Sequence, residues 1–324
     1  MHACALVLHE DCGRHDTGWG HPEHQGRLPA IVRAIEKATP ELQDAIVQHH
    51  AAPASSEAIR RVHTTAHVDR VRALADRAAA EGWPVTVGED TVVSAASWDA
   101  ARAAAGCAVD GVRLIMERKA HTAFALCRPP GHHATPDRIM GFCLFNNAAI
   151  AARSLQAEYD VRRVLIIDWD VHHGNGTQDV FWEDGSVYYL SLHQWPWYPG
   201  TGAASERGEG AGEGLTRNVP LPAGTTARAY RSAFAEAVET AFLSFAPEFV
   251  LVSAGFDAMA GDPLGELLLE PQDLHGMTRV VVDHAKDPAR GRVAAVLEGG
   301  YAPARTAEGV VAVLSALCDR PAVV

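Results

Sequence analysis

Asp168, Asp170 and His172 stand two residues apart within the stretch Val164 to Gln178. They follow four apolar residues, Val164 to Ile167, mostly of β-branched type. Such a run is the pattern of a parallel strand buried on both faces. Side chains alternate along a strand, so the three polar groups leave one side of the chain if the backbone stays extended. Two carboxylates and an imidazole at the end of a buried strand are costly unless positive charge compensates them, and a divalent metal is the natural candidate. The alternative is a buried Asp–His hydrogen-bond network without metal. It suits a lone Asp-x-His better than three polar groups in register followed by a Gly-rich exit, Gly174-Asn175-Gly176.

The same kind of ending recurs. Thr122–Leu126 is followed by Arg128-Pro-Pro-Gly-His-His133, Phe249–Ser253 by Ala254-Gly-Phe-Asp257, and Val293–Leu297 by Glu298-Gly-Gly-Tyr301. In open parallel sheets, ligands bind beyond the carboxyl ends of the strands. Asp170, His172 and Asp257 would offer one nitrogen and two carboxylates and leave room for water and substrate, as a catalytic zinc requires. Oxygen-rich ligation also suits iron or manganese. The Pro-Pro-Gly turn can present both His132 and His133, and Asp168 and Asn175 are candidates to fix their tautomers. A metal that activates water beside a neutral imidazole serves hydrolysis at neutral pH. Tyr301 can donate to a developing oxyanion; taken alone, it reads as a half-buried tyrosine with its hydroxyl in water.

The elements that position these groups alternate. Ala3–Leu8 reads as a strand, and His9–Arg27 as a polar loop whose His9, His15, His21 and His24 are expected to be solvated. Helices are expected over Pro29–Lys37 and over Thr65–Ala79, the latter with Val68, Val71 and Leu74 as its buried stripe and Thr65 as its cap. Glu89-Asp90-Thr91 reads as a loop, and Ser97 as the cap of an Ala-rich helix to Arg118 with Asp99 in its first turn. From Thr122 onward strands and helices alternate: helices over Asn147–Glu158, Ala227–Phe245, Gln272–Ala285 and Thr306–Cys318, and a further strand over Val187–Leu192. This order implies a mostly parallel sheet with helices on both faces. The connection His193–Gly214 is long and rich in Gly, Pro and aromatics, which points to function. The polar residues of interest span 132 to 301 without a linker, so residues 1–324 are read as one domain.

A net charge of −12 argues against a nucleic-acid footprint and against anionic membranes. The six cysteines show no Cys-x-x-Cys and several sit in apolar runs, as small core residues do in a reducing compartment. Ala3–Leu8 is too short for a signal-peptide core and is followed at once by His9, Glu10 and Asp11; with no run near the ~20 apolar residues of a membrane helix, a cytoplasmic location is expected.

Five segments together resemble the histone deacetylase superfamily: Arg128-Pro-Pro-Gly-His-His-Ala134, Gly141-Phe-Cys-Leu-Phe-Asn-Asn147, Asp168 to Gln178, Gly255-Phe-Asp257 and Glu298-Gly-Gly-Tyr301. The wording is most similar to class II deacetylases, bacterial deacetylase-like amidohydrolases and acetylpolyamine amidohydrolases, and it extends from His21-Pro-Glu23 to Tyr301. The resemblance implies an arginase–deacetylase fold with a central eight-stranded parallel sheet. It implies one zinc ion on Asp170, His172 and Asp257, His133 as general base and acid, His132 as an electrostatic helper backed by Asp168, and Tyr301 polarising the scissile carbonyl. Gly141, Phe142 and Tyr198 would line a narrow channel for the acyl-lysine stem. Structural potassium would sit at Asp168, Asp170, His172, Ser191 and Leu192, largely on backbone oxygens. Arg27 matches an arginine beside an internal channel, and Asp90 a rim carboxylate that holds the substrate backbone.

Two positions depart from the wider pattern. Position 175 is Asn, as in class II, where other members carry Asp, so His133 has a neutral partner. Leu264 follows Asp262-Pro263 where a polyamine-selective member carries an acidic gatekeeper. The implied activity is removal of an acyl group from the lysine side chain of a protein or peptide. The alternative with the same chemistry takes acetylpolyamines or another small acetylated amine, which a homo-oligomer closing over the site would favour. A binuclear manganese ureohydrolase is disfavoured because His173-Gly174 stands where a second metal wants a carboxylate, and a non-catalytic acyl-lysine binder has no need of Tyr301 and both histidines.

Overall fold

The apolar runs become the middle of one parallel sheet. The computed structural model describes residues 4–323, so Ala3, the expected start of the first strand, lies outside the described residues. The strands are β1 (Cys4–Leu8), β2 (Ile46–His50), β3 (Val85–Val87), β4 (Thr91–Val93), β5 (Thr122–Leu126), β6 (Val164–Asp168), β7 (Val187–Gln194), β8 (Thr216–Leu221), β9 (Phe249–Ala254) and β10 (Val293–Leu297). The helices are α1 (Arg27–Lys37), α2 (Thr39–Leu42), α3 (Ser56–Arg60), α4 (Thr65–Glu81), α5 (Ser97–Met116), α6 (Asn147–Tyr159), α7 (Asn175–Phe181), α8 (Ala227–Phe245), α9 (Pro271–Ala285) and α10 (Pro303–Leu317).

Eight strands pair in the order β2-β1-β5-β10-β9-β6-β7-β8, every neighbouring pair parallel, while β3 and β4 form a separate antiparallel hairpin. The described residues form a single domain around this eight-stranded parallel sheet, as the resemblance implies. Helices α1, α8, α9 and α10 pack on one another along one face, and α5 with α6 along the other. Covered on both sides, β5, β10, β9 and β6 are buried throughout, which is why they read as unbroken apolar runs. These four are also consecutive across the sheet. Leu297 lies level with Ala254 and Asp168 with Ser253, so the chain leaves them at one edge and at nearly one height.

Local chemistry sets the helix starts. Asn146 and Thr226 accept the N–H of Ala149 and Ala229 to cap α6 and α8, and Glu270 and Asp273 form a reciprocal capping box on α9. Thr64, not Thr65, caps α4; its backbone is extended and its hydroxyl accepts from His67 N–H. Ser97 lies inside the first turn of α5 instead of capping it, because its hydroxyl is engaged by Ser94 N–H and His15 Nδ1. Thr91 opens β4 instead of closing a loop, and β7 runs on through His193 to Gln194 before the long connection begins. The edge strands β2 and β8 were not expected from the sequence.

Candidate active site

Past Asp168 the chain does not stay extended. Asp168 Oδ1 accepts the N–H of Asp170 at 3.2 Å, and Asp170 Oδ1 accepts the N–H of His172 at 2.9 Å. These successive Asx turns, not strand alternation, aim the side chains. The expected common direction of Asp168, Asp170 and His172 is therefore corrected: Asp168 turns to His132, while Asp170 and His172 meet Asp257 from the end of β9. Asp170, His172 and Asp257 are buried and each offers a ligand atom within 4.8 Å of the others. His172 Nδ1 lies 3.0 Å from Asp170 Oδ1 and 3.3 Å from Asp257 Oδ2.

This trio fits a divalent cation. Asp257 Oδ1 accepts the N–H of Val171 at 2.9 Å, but its buried Oδ2 has no hydrogen-bond partner. Burial and the neighbouring Asp170 push the Asp257 carboxyl up to about 7, the mark of negative charge without enough compensation. On the β10 side the approach is close: a Cβ on Gly299 would lie 2.1 Å from Asp257 Oδ2 and 2.6 Å from Asp170 Oδ2, so no side chain could stand there. One imidazole and two carboxylates, with open space beside them, are a donor set for zinc or iron.

His132 and His133 follow β5, their rings 4.0 Å apart. His132 Nδ1 lies 3.0 Å from Asp168 Oδ2, which also accepts the Tyr189 hydroxyl at 3.0 Å. Burial opposes a charge on His132, but Asp170 and Asp168 outweigh it and hold its pKa well above 6.5. His133 Nδ1 lies 2.8 Å from Asn175 Oδ1 at the start of α7. Because that oxygen only accepts, Nδ1 carries the proton and Nε2 the lone pair. Burial, then the charges of His132 and His172, push the His133 pKa well below 6.5. Two adjacent imidazoles are thus driven apart, one toward charge and one toward neutrality. Glu298 supports the turn by accepting the N–H groups of Gly131 and His132 at 2.6 and 3.2 Å.

On the outer side of His172 opens a cavity of about 220 Å³ lined by Asp90, His133, Gly141, Phe142, His172, Trp197, Tyr198, Leu264 and Tyr301. All five residues expected at the substrate are present: Gly141, Phe142, Tyr198, Leu264 and Asp90. Gly141 holds φ +56°, and a Cβ there would strike the His133 ring at 2.3 Å. The His133 and Tyr198 rings meet edge to face at 5.1 Å, and Phe142 meets Tyr301 at 5.7 Å. The hairpin holds this wall, since Thr91 Oγ1 accepts the N–H of Phe142 at 3.0 Å. Tyr301 is buried, and burial with Asp257 and Asp170 nearby raises its pKa well above 10, so the phenol keeps its proton. Trp197 was not foreseen. Its Nε1 donates to the Leu264 carbonyl at 2.9 Å, joining two rim loops distant in sequence.

Arg27 lies behind Tyr301, 5.2 Å from its ring, and donates to the carbonyls of Gly300 and Glu298 at 2.7 and 2.6 Å. Ser191 pairs in register with Asp168, and the Leu192 carbonyl accepts the Tyr230 hydroxyl at 3.2 Å. Of the loop histidines expected in solvent, His15 is instead fully buried; it contacts Ser97 at 2.7 Å and Glu23 at 3.7 Å, with its pKa lowered to about 4 by burial and by Arg128. His9, His21 and His24 are partly buried, and His21 reaches the Asp90 carbonyl.

Residues 21–317 match the family model described as "Histone deacetylase domain". The chain is 40% identical over 291 residues to "Histone deacetylase 14, chloroplastic" of Arabidopsis thaliana, covering 87% of this chain and 69% of that one. It is 38% identical over 284 residues to "Histone deacetylase-like amidohydrolase" of Pseudomonas aeruginosa, covering 87% and 72%. Among solved structures, the "HDA15 HD domain" superposes with a TM-score of 0.91 at 37% identity, covering all of this chain and 92% of that one.

Proposed function

The chain belongs to the histone deacetylase family and hydrolyses amide bonds, and on that premise we propose that its substrate is an acyl-lysine side chain of a protein or peptide and its cofactor one zinc ion. The observation that carries the reading is the buried Asp257 oxygen that accepts no hydrogen bond, clustered with Asp170 and with His172, which itself lines the cavity. A zinc ion held by Asp170, His172 and Asp257 would supply the positive charge that polarises the amide carbonyl and activates water.

The chain's own groups do the rest. Phe142 and Tyr198 grip the linear alkyl stem by apolar area. His133, neutral and with its Nε2 lone pair free, takes the proton from the attacking water and returns it to the departing amine nitrogen. His132, biased toward its charged form by Asp170 and Asp168, lends positive charge beside the forming oxyanion. Tyr301 donates its phenol hydrogen to the carbonyl oxygen as charge grows there. Asp90 at the rim accepts N–H groups of the substrate backbone. Potassium at Asp168, Asp170, His172, Ser191 and Leu192, with backbone oxygens as ligands, belongs to the same proposal. The six buried free cysteines support a reducing compartment, the cytoplasm. Among the described residues no helix is long and apolar enough to cross a membrane.

A second reading, a small acetylated amine such as an acetylpolyamine, draws support from Asp90, the only carboxylate on the cavity wall among the described residues. Leu264, apolar at the rim, favours the peptide. Rates on acetyl-lysine peptides and on acetylputrescine, with metal analysis of the same preparation, decide between them. The peptide reading expects a higher kcat/KM on peptide and one zinc per chain; a preference for acetylputrescine overturns it.

A further inference from the structure

The position of Tyr301 depends on a single peptide plane. The unit joining Gly300 to Tyr301 carries a carbonyl at one side and an N–H at the other, and it is planar, so fixing both ends fixes the plane and the direction in which the tyrosine leaves the backbone. Arg27 Nε donates to that carbonyl at 2.7 Å. The N–H of Tyr301 donates to Asp262 Oδ2 at 2.7 Å, and the next N–H, of Ala302, reaches the same oxygen at 3.2 Å. The other oxygen, Asp262 Oδ1, accepts the N–H of Leu264 at 2.9 Å. Asp262 is buried, and these three backbone donors belong to two loops, the one after β10 and the one after β9. Such a tether matters here because Tyr301 follows Gly299-Gly300, with Gly300 at φ +125°, a pair with wide conformational freedom in the absence of outside contacts.

We propose that Asp262 is a positioning residue for Tyr301: its two carboxylate oxygens clamp the tyrosine turn and the Leu264 rim to each other, so that the phenol meets the reacting carbonyl. This rests on Tyr301 being the oxyanion donor. An ionised carboxylate has two acceptors and no donor, whereas an amide has one of each. Asp262→Asn therefore cannot satisfy both loops. Whichever way the amide turns, an NH2 group faces the N–H of Leu264 or those of Tyr301 and Ala302.

A double-mutant cycle tests this on the zinc-loaded chain with an acetyl-lysine peptide. Tyr301→Phe alone should lower kcat by about 10²–10³-fold. Asp262→Asn alone should lower kcat by about 10–100-fold, the range typical of residues that orient a catalytic group, with KM and zinc content changing little. In the Tyr301→Phe chain, Asp262→Asn should cost less than about threefold, because the group it positions is already gone. An equal loss in both backgrounds assigns Asp262 a general structural role and overturns the inference, as does an unchanged kcat for Asp262→Asn alone. If Asp262→Asn does not fold, the cycle is run with Asp262→Glu, which keeps both acceptors but displaces them by one methylene; the same non-additivity is expected, and additivity overturns the inference. An unaltered kcat for Tyr301→Phe removes the oxyanion role itself, and with it this inference, a result distinguishable from additivity.

Discussion

Two clusters of buried charge lie at the same edge of the sheet and are built oppositely. In one, the fully buried Glu23 carboxylate is held between Arg27 and Arg128, and it accepts from the Arg27 guanidinium at 2.9 Å. The arginines spend their remaining donors on carbonyls of Cys12, Glu23, Glu298 and Gly300. In the other, the equally buried Asp257 has another carboxylate and an imidazole for neighbours, and one of its oxygens, 3.3 Å from that imidazole, accepts no hydrogen bond. Burial raises the pKa of both acids. For Glu23 the arginines outweigh it and bring the carboxyl down to about 2; for Asp257 the nearby Asp170 adds to it and brings the carboxyl up to about 7. Two acids of one chemical type, equally dry, thus report different jobs. In the first cluster every charge has its counter-charge; the second lacks one and carries the donor set that suits a cation.

Removing a member should affect the two clusters differently. Asp257→Ala should abolish stoichiometric metal and hydrolysis together while the chain stays folded, because the mutation relieves an unsatisfied charge; metal analysis with circular dichroism checks this. Glu23→Gln should do the reverse. It leaves two buried guanidiniums without their counter-charge and should destabilise by about 3–5 kcal/mol in denaturant unfolding, with metal stoichiometry intact in the folded fraction.

Acid offers a milder version of the same contrast. The folded pKa of Glu23, about 2, lies below its unfolded value near 4.5, so its contribution is present above pH 4.5 and is lost as pH falls toward 2. His15, lowered from 6.5 to about 4, adds a loss of the same sign between those values, since the unfolded state takes up its proton first. Stability should therefore decline on acidification, by up to about 3 kcal/mol from Glu23 at 1.36 kcal/mol per pKa unit, and the Glu23→Gln chain should lack that share. The smallest effect is expected where a charge is added to the second cluster. Asn175→Asp gives His133 an anionic partner, raises its proton affinity, and should move the acidic limb of the pH–rate profile to higher pH with the fold unchanged.

What could be read from the sequence follows the same division between local and distant causes. The strands β5, β6, β9 and β10 were legible because burial on both faces leaves a continuous apolar run. The edge strands were not: β2 ends in Gln48-His49-His50 and is half exposed, and β8 carries Pro220, tolerable only where no ladder bond is needed. The convergence of Asp170, His172 and Asp257 was legible from residue type and place, although the backbone reaches it through Asx turns instead of an extended strand. His15 was misread because its partners, Ser97 and Glu23, include one 82 residues away. Trp197 went unseen for the same reason, since its role rests on a bond to a carbonyl 67 residues distant. Asp262 was noticed only as the neighbour of Leu264; its three backbone donors come from folding, and no spacing announces them.

The most direct test is to strip the purified chain of divalent ions, follow hydrolysis of an acetyl-lysine peptide, and add zinc back in measured steps. The cluster of Asp170, His172 and Asp257 predicts that activity disappears on stripping and returns in proportion to zinc until one equivalent is bound per chain. Undiminished hydrolysis by the ion-free chain would contradict it.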